Sequence, residues 1–422
     1  MEKSNQNERY ALVLEGGGTK GAFHIGAARA LQELGIDIGI VTGTSIGALN
    51  GAMVAQNKIE DAYQIWQEIK PSMILDVDDE RFNEISNVNF QNTELKTLVE
   101  SAKKLIGQKG LGKSNMQELV SRHIDEVAVR NSDIEFGMVT VSLKDKKAVE
   151  VFTEDIPEGQ LGSYVMASAN YPLFQREEIQ GEKFVDGGVL NNLPINMVID
   201  KGYKKVIAVR TNEKGTLRGR EKRYDDGIEI TYVYPTENLG GVLNFDRENA
   251  IKNLKMGYYD TLKAMLNLKG NVYYIEATKN DEIFFEALSK IDEQEIEQLQ
   301  TSLELNLYEP KRALFEFILP EMARLLKIEE TYTYEDLVLA LVEFMAINTS
   351  IERFEKYDFK TFFLKVEANY TQNEIEMIAS LNKTEGIFKK IIERDLFNTK
   401  NREELLLQCY KALRKPLLEI VD

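Results

Sequence analysis

The sequence predicts an α/β fold, a three-layer α/β/α sandwich around a mostly parallel central sheet, followed by an all-α C-terminal module. Up to about residue 280, short apolar runs alternate with segments of helical spacing. Strand–helix–strand alternation is typical of a parallel sheet with helices on both faces. From about residue 280 the spacing is helical only. We therefore predict two domains, 1–278 and 279–422, with the motifs of the first domain within 9–210.

The elements of the first domain follow from its apolar runs. Residues 11–14 and 38–41 are short apolar runs that predict buried strands, and the spacing over 20–34 predicts a helix. A helix of small residues is predicted over 46–56. Further strands are predicted at 136–143, 183–185, 205–210, 228–234 and 271–277. Residues 72–124 are charged and helical in pattern, and we interpret them as an insertion over one end of the sheet.

Helix-start signals support the C-terminal module. Capping-box patterns begin at Thr333 and Thr371, and a similar pattern begins at Asn401. The stretch 405–418 is amphipathic, as expected of a helix with one buried face.

Composition excludes several classes of protein. The net charge of −17, from 52 Lys+Arg and 69 Asp+Glu, makes nucleic acid an unexpected partner, because nucleic-acid binding depends on neutralising phosphates. No apolar run reaches the length of a membrane span, and the polar first ten residues lack the apolar segment of a secretory signal. We therefore predict a cytoplasmic protein. One cysteine and two histidines cannot form a disulfide or a His/Cys zinc site, so no metal is expected.

The loop between the first strand and the first helix is rich in glycine. It comprises Gly16, Gly17, Gly18, Thr19, Lys20 and Gly21. Such a loop directs backbone N–H groups at one point in front of a helix N-terminus, which suits a phosphate or a transient oxyanion. The spacing also fits the dinucleotide fingerprint, but the second strand does not end in the acidic residue that the fingerprint requires. A tight turn without a ligand is the remaining alternative.

The second strand leads into a G-x-S-x-G sequence. Its residues are Gly43, Thr44, Ser45, Ile46 and Gly47. Between a strand and a helix, this pattern predicts a nucleophile elbow that exposes the serine hydroxyl. Adjacent parallel strands would bring Ser45 and the glycine-rich loop to the same sheet edge, where N–H donors and nucleophile converge for acyl transfer. The alternative is a Gly/Ser turn without a chemical role.

A third motif, Asp186-Gly187-Gly188, follows the predicted strand at 183–185. Asp-Gly is a common turn, so this motif gains weight only beside the other two. A carboxylate on a glycine-flanked turn can approach another loop closely.

Neither histidine is placed for a Ser-His-Asp triad. His24 falls in the first predicted helix and His123 in the insertion, whereas a triad histidine is expected on a loop after the nucleophile. Asp186 is therefore predicted to act on Ser45 directly as the general base. This requires a cleft apolar enough to raise the pKa of its carboxyl.

A competing pattern lies within the insertion. Residues 107–114 match the P-loop pattern G-x-x-x-x-G-K-[ST]. A P-loop follows a buried strand, whereas 93–106 is amphipathic with helical spacing. We interpret the pattern as a basic hinge between two helices rather than as a nucleotide site.

Together and in this order, the three motifs resemble the patatin-like phospholipase family, which uses a Gly-rich oxyanion loop, a G-x-S-x-G elbow and an Asp-Gly-Gly/Ala turn. Residues 166–174 also resemble the Ala-Ser…Pro-x-x-Phe stretch of that family. The resemblance implies the α/β/α fold and a Ser45–Asp186 dyad. It further implies an oxyanion hole formed by the N–H groups of Gly17, Gly18 and a neighbour.

The same resemblance implies hydrolysis of acyl esters of phospholipids or related lipids without a cofactor, with Lys20 shaping the loop. Three alternatives stay open: an effector whose helical module gates the same site, a non-catalytic binding protein, and a nucleotide-binding protein. We also expect substrate access beneath the insertion and peripheral contact with an anionic lipid surface, although a solvated helix face explains the same basic cluster. That cluster is Lys103, Lys104, Lys109 and Lys113. Acyl length, head group and oligomeric state stay open.

Overall fold

The structure is a computed structural model. It describes residues 8–76, 79, 114–170, 177–179, 181–214, 227–278, 280–306, 308–328, 331–347, 349, 351–381 and 399–421. Most of the predicted insertion, including its four lysines, lies outside these residues. The P-loop-like pattern before Ser114 and residues 171–174 also lie outside them. The chain divides into two compact units, Met1–Leu266 and Asn267–Asp422.

A single eight-stranded sheet forms the centre of the first unit, as far as the chain is described. Its strands are β1 (Tyr10–Leu14), β2 (Ile38–Thr44), β3 (Glu135–Ser142), β4 (Lys147–Phe152), β5 (Glu177–Ile179), β6 (Glu182–Asp186), β7 (Lys205–Val209) and β8 (Glu229–Val233). The strand order is β5-β6-β3-β2-β1-β7-β8, with β4 pairing additionally with β3. The run from β3 to β8 is parallel, whereas β4, β5 and β6 pair in antiparallel fashion.

Helices cover both faces of this sheet. They are α1 (Ala22–Glu33), α2 (Ile46–Ala55), α3 (Ile59–Gln67), α4 (Pro71–Ile74), α5 (Ser114–His123), α6 (Glu126–Arg130), α7 (Leu161–Ser168), α8 (Ile195–Asp200) and α9 (Arg247–Leu266). Alternate residues of β1 face opposite layers. Val13 shares an apolar cluster with Val198 of α8, whereas Leu14 lies against Gly47 of α2. The predicted α/β/α sandwich is therefore confirmed.

The edge pairing of β3 positions the candidate site. On one edge, β4 pairs with β3 from Gly137 to Ser142. The other edge is shared, because β2 ends there with Thr44 opposite Val139 and β6 ends with Asp186 opposite Thr140. The ends of β2 and β6 are thereby fixed at consecutive residues of one strand.

The second unit is mainly helical. Its helices are α10 (Glu282–Ser289), α11 (Glu293–Ser302), α12 (Pro310–Ala313), α13 (Leu319–Leu326), α14 (Tyr334–Ala346), α15 (Phe359–Leu381) and α16 (Thr399–Val421). A π-helical turn, Leu314–Ile318, joins α12 to α13. The unit also contains two short paired strands, β9 (Tyr274–Ile275) and β10 (Lys356–Tyr357). One buried apolar cluster forms its core.

The chain divides earlier than the predicted boundary at 278, and one buried carboxylate explains the difference. Glu343 of α14 accepts hydrogen bonds from the backbone N–H groups of Asn271, Val272 and Tyr273 at 2.7, 2.9 and 2.8 Å. Residues 271–277, predicted as a strand of the first domain, therefore belong to the second unit, and only the two residues of β9 are strand.

The helix-start predictions differ in outcome. Thr333 caps α14 as predicted, because its hydroxyl accepts the N–H of Asp336 while the Asp336 carboxylate accepts the N–H of Thr333. The prediction at Thr371 is wrong, since Thr371 lies inside α15. Asn401 likewise lies inside α16, which begins at Thr399.

Candidate active site

Ser45 occupies a strained turn between β2 and α2. Its φ and ψ are 57° and −123°, in the positive-φ region that residues other than glycine rarely adopt. The flanking glycines leave no room for a side chain. A Cβ on Gly43 would lie 2.2 Å from the carbonyl oxygen of Gly47, and a Cβ on Gly47 would lie 2.3 Å from that of Leu14. The glycines of the motif are therefore needed for α2 to begin against the sheet.

The hydroxyl of Ser45 donates a hydrogen bond to the carboxylate of Asp186. The Ser45 Oγ–Asp186 Oδ2 distance is 2.5 Å. The other carboxylate oxygen, Oδ1, accepts the N–H of Gly188 at 2.7 Å. Gly187 allows this approach, because a Cβ there would lie 2.3 Å from the carbonyl oxygen of Val139. The Asp-Gly-Gly turn therefore orients both oxygens of the carboxylate.

The carboxyl of Asp186 is buried, with 5% of the residue exposed. Burial raises its pKa to about 6, although the hydrogen bonds from Ser45 and Gly188 act in the opposite direction. A carboxyl with this pKa is a stronger base than an exposed aspartate and is still ionised in most molecules at pH 7.

Ser168, the last residue of α7, is hydrogen-bonded to the Ser45 turn. The backbone N–H of Ser45 donates to Ser168 Oγ at 3.0 Å, and this hydroxyl donates to the carbonyl oxygen of Val139 at 2.6 Å. Ser168 is completely buried. In the sequence Ser168 is only one member of the stretch 166–174, because a serine in a helix of small residues carries no visible sign of its partner.

The three predicted motifs meet at one edge of the sheet. A Cβ on Gly21 would lie 2.4 Å from Ile46 Cγ1, which places the glycine-rich loop against the start of α2. The Asn192 side chain lies between the glycine-rich loop and the Asp-Gly-Gly turn. Its Oδ1 would be 2.3 Å from a Cβ on Gly16 and 2.7 Å from one on Gly188. Asn192 also donates through Nδ2 to the carbonyl oxygen of Gly16 at 3.2 Å. Sequence analysis did not identify this asparagine.

The backbone N–H groups of the loop have different partners. Within the described residues, no group accepts the N–H of Gly17 or Gly18. The N–H of Thr19 donates to the carbonyl oxygen of Val242 at 3.0 Å, and the N–H of Lys20 donates to that of Gly17 at 3.3 Å. The N–H groups of Gly17 and Gly18 thus differ from those of Thr19 and Lys20 in having no described backbone acceptor.

Buried polar contacts hold the loop against the end of β7. Glu15 and Arg210 form an ion pair at 3.2 Å with both side chains 3% exposed. Glu15 also accepts the N–H of Thr211 at 2.7 Å, and Lys20 Nζ donates to the carbonyl oxygen of Thr211 at 3.2 Å. Lys20 thus fixes the loop position. The Glu15–Arg210 pair was missed because its members are far apart in sequence.

The structure describes no contact of either histidine with Ser45 or Asp186. His24 is fully buried in α1, and burial lowers its pKa to about 3, which keeps the imidazole neutral. Its Nδ1 lies 3.4 Å from Asn50 Nδ2. His123 is the last residue of α5, and its backbone carbonyl oxygen accepts a hydrogen bond from Gln56 Nε2.

Neither a metal-ion site nor a membrane-spanning helix is found in the described part of the chain. No cluster of three or more His, Cys, Asp or Glu side chains could hold a metal ion there. Among the same residues, no helix has both the length and the apolarity to cross a bilayer.

Ser114, at the end of the P-loop-like pattern, donates its hydroxyl hydrogen to Asp76 at 2.7 Å and begins α5.

Comparison with known proteins gives a family match in the first unit. The family model described as patatin-like phospholipase matches residues 12–199, a range that contains the whole glycine-rich loop, Ser45 and Asp186. Residues 12–199 are therefore similar in sequence to patatin-like phospholipases. The similarity thus spans β1 to α8, the part of the sheet that carries the three motifs.

The matching part of this chain spans only a fraction of the length of the curated relatives. Patatin-like phospholipase domain-containing protein 7 of Rattus norvegicus is 29% identical over 208 residues, 47% of this chain and 13% of that protein. An uncharacterized NTE family protein of Mycobacterium tuberculosis is 26% identical over 222 residues, 52% of this chain and 54% of that protein. The crystal structure of VipD from Legionella pneumophila aligns at a TM-score of 0.40 with 16% identity, covering 97% of this chain and 91% of that chain.

Proposed function

We propose that this chain is a serine lipid acyl hydrolase in which Ser45 is the nucleophile and Asp186 the general base. The observation that carries the proposal is the 2.5 Å hydrogen bond from Ser45 Oγ to Asp186 Oδ2. Nucleophile and base within hydrogen-bond reach are the signature of an activated nucleophile. The match of residues 12–199 to the patatin-like phospholipase model supports an ester of a lipid as the substrate.

In the first half-reaction, Asp186 takes the proton of the Ser45 hydroxyl as Oγ attacks the ester carbonyl carbon. The N–H groups of Gly17 and Gly18 donate hydrogen bonds to the carbonyl oxygen and stabilise the negative charge that develops on it. Asp186 then gives its proton to the departing alcohol oxygen, which leaves an acyl ester on Ser45. No histidine takes part in this sequence.

In the second half-reaction, water replaces the alcohol. Asp186 takes a proton from the water as its oxygen attacks the acyl carbon, and the same N–H groups stabilise the second oxyanion. Collapse breaks the bond between Ser45 Oγ and the acyl carbon, and the proton returns from Asp186 to Ser45. The products are a carboxylic acid and an alcohol, and no cofactor is consumed.

An apolar side chain beside the turn supports a lipid substrate and peripheral contact with a lipid surface. Leu190 follows the Asp-Gly-Gly turn and is 54% exposed, although large apolar residues are usually buried. An exposed leucine next to the reacting groups can contact an acyl chain. The contribution of the lysines in the insertion stays a prediction, since they lie outside the described residues.

The test combines labelling and turnover. A fluorophosphonate probe is expected to form one adduct, on Ser45, and purified chain is expected to release fatty acid from phosphatidylcholine vesicles. Ser45→Ala should abolish the adduct and lower turnover by about 10³-fold or more. An adduct on another serine would contradict the assignment. Turnover that required a cell extract would favour the gated-effector alternative.

A further inference from the structure

Thr19 joins the glycine-rich loop to a distant part of the chain, the segment Leu239–Asn244, which we call the strap. Three hydrogen bonds make this connection. The N–H of Thr19 donates to the carbonyl oxygen of Val242 at 3.0 Å, and its hydroxyl donates to that of Gly241 at 3.0 Å. The same hydroxyl accepts the N–H of Asn244 at 3.1 Å. The strap thus engages the backbone and the side chain of one loop residue.

The strap is fixed in turn to α9. The side-chain amides of Asn249 and Asn253 both donate to the carbonyl oxygen of Leu239, each at 2.9 Å. Asn253 is completely buried. Two donors on one carbonyl hold the start of the strap against the helix that follows it.

Helix α9 crosses α1 at unusually short range. A Cβ on Gly26 of α1 would lie 1.9 Å from the carbonyl oxygen of Leu254, and a Cβ on Gly257 of α9 would lie 2.0 Å from that of Phe23. Since α1 begins directly after the glycine-rich loop, the loop is held from both sides. One connection runs through α1, and the other runs through α9 and the strap.

The strap also limits what the loop can offer a ligand. It accepts a hydrogen bond from the N–H of Thr19, whereas the N–H groups of Gly17 and Gly18 have no described acceptor in it. The carbonyl oxygen of Val242 lies 2.1 Å from the position of a Cβ on Gly18, so the strap and the loop backbone are in direct contact. A shift of the strap would therefore change the direction of the two remaining N–H groups.

We propose that the strap sets the direction of the oxyanion donors and that Thr19 is the positioning residue through which it acts. The proposal rests on the function proposed above, because the donors matter only if Ser45 attacks an acyl carbon. Thr19 itself contacts neither substrate nor the reacting atoms. Its hydroxyl is required because only a group that both donates and accepts can satisfy Gly241 and Asn244 together.

The test compares Thr19→Val, which keeps the shape of the side chain, with Thr19→Ser, which keeps the hydroxyl. Misdirected donors should lower kcat of Thr19→Val by about tenfold to a hundredfold while KM stays within about threefold. Thr19→Ser should retain kcat within about threefold. The pH midpoint of kcat/KM should be the same in all three proteins, because the base is untouched.

The matched control is Thr153→Val, which removes one hydroxyl bond, to Phe136 at 3.1 Å, from a threonine beside the start of β3. It should lower stability without changing kcat. If Thr19→Val does not fold, Asn249→Ala loosens the strap and should reduce kcat a few-fold at constant KM. Wild-type kcat in the folded Thr19→Val protein, or in Asn249→Ala, overturns the proposal. If the Ser45→Ala variant retains wild-type turnover, the proposed function is overturned instead.

Discussion

At the scale of single residues, the buried carboxyl of Asp186 controls the expected pH dependence. Its pKa of about 6 predicts that kcat/KM rises with pH through a midpoint near 6 and then reaches a plateau, because the ionised form is the base. Asp186→Asn should lower kcat by about 10³-fold, since an amide cannot accept the proton. A pH–rate profile of wild type, with Asp186→Asn as the inactive reference, measures both effects. A midpoint near 4, as for an exposed aspartate, would contradict the assignment.

A second residue-scale prediction concerns the histidines. His24 and His123 make no described contact with the dyad, so the double variant His24→Asn, His123→Gln should retain activity within about tenfold if it folds. Circular dichroism establishes the fold and vesicle hydrolysis establishes the rate. A folded double variant as inactive as Ser45→Ala would restore a triad mechanism.

At the scale of elements, the glycine-rich loop gives a matched comparison of two substitutions. Gly18 and Gly35 both have a positive φ, +58° and +67°. A Cβ on Gly18 would lie 2.1 Å from the carbonyl oxygen of Val242, whereas a Cβ on Gly35 would have no atom within 4 Å. Both alanine variants carry the strain of a positive φ, while only Gly18→Ala displaces the loop. We expect turnover to fall by about 10²–10³-fold in Gly18→Ala and to stay unchanged in Gly35→Ala. Equal turnover in the two folded variants would show that the loop conformation is not needed for catalysis.

The first two strands and the first two helices could be predicted element by element. Apolar runs and glycines indicated β1, α1, β2 and α2 to within a few residues, because each is buried on both faces or begins at a glycine turn. Strand β4 could not be found in this way. It pairs at the sheet edge and is only partly buried, so no apolar run marks it. The strand predicted at 271–277 failed for the opposite reason. Its apolar residues are buried against the helices of the second unit rather than in the sheet.

The proximity of Ser45 and Asp186 could be predicted because both residues lie in short sequence motifs, whereas the residues that hold these motifs in place could not. Ser168 and Asn192 act through single hydrogen bonds to backbone groups that are distant in sequence. The Glu15–Arg210 pair joins the ends of two strands that only the topology makes neighbours. Such partners are selected by the folded geometry, and no local pattern encodes them.

At the scale of the whole molecule, Asp186 and His24 affect the free energy of unfolding in opposite directions. The folded-state pKa of Asp186 is raised to about 6 from 3.8, so the native state binds its proton more readily and loses stability as pH rises through this window. The folded-state pKa of His24 is lowered to about 3 from 6.5, so the native state loses stability as pH falls below 6.5. Between pH 6 and 4 the two contributions partly cancel.

This cancellation predicts the behaviour of Asp186→Asn. At pH 7 the variant should be more stable than wild type by up to about 3 kcal/mol, because the cost of burying the carboxylate is removed. Its melting temperature should also fall more steeply on acidification from pH 6 to 4, since the His24 contribution is no longer offset. Thermal melts across this range measure both slopes, with Ser45→Ala as the control that keeps the carboxylate. Parallel curves for wild type and Asp186→Asn would contradict the prediction.

The shared edge of β3 has a consequence for changing the specificity of this protein. Thr44 and Asp186 pair through their backbones with Val139 and Thr140, so the spacing of nucleophile and base depends on peptide geometry rather than on the side chains around them. Exposed side chains near the Asp-Gly-Gly turn in sequence, such as Leu190, can then be exchanged in a library without changing this backbone pairing. A scaffold of this kind separates selectivity from reactivity, and chain-length preference can be evolved while the chemical step is conserved.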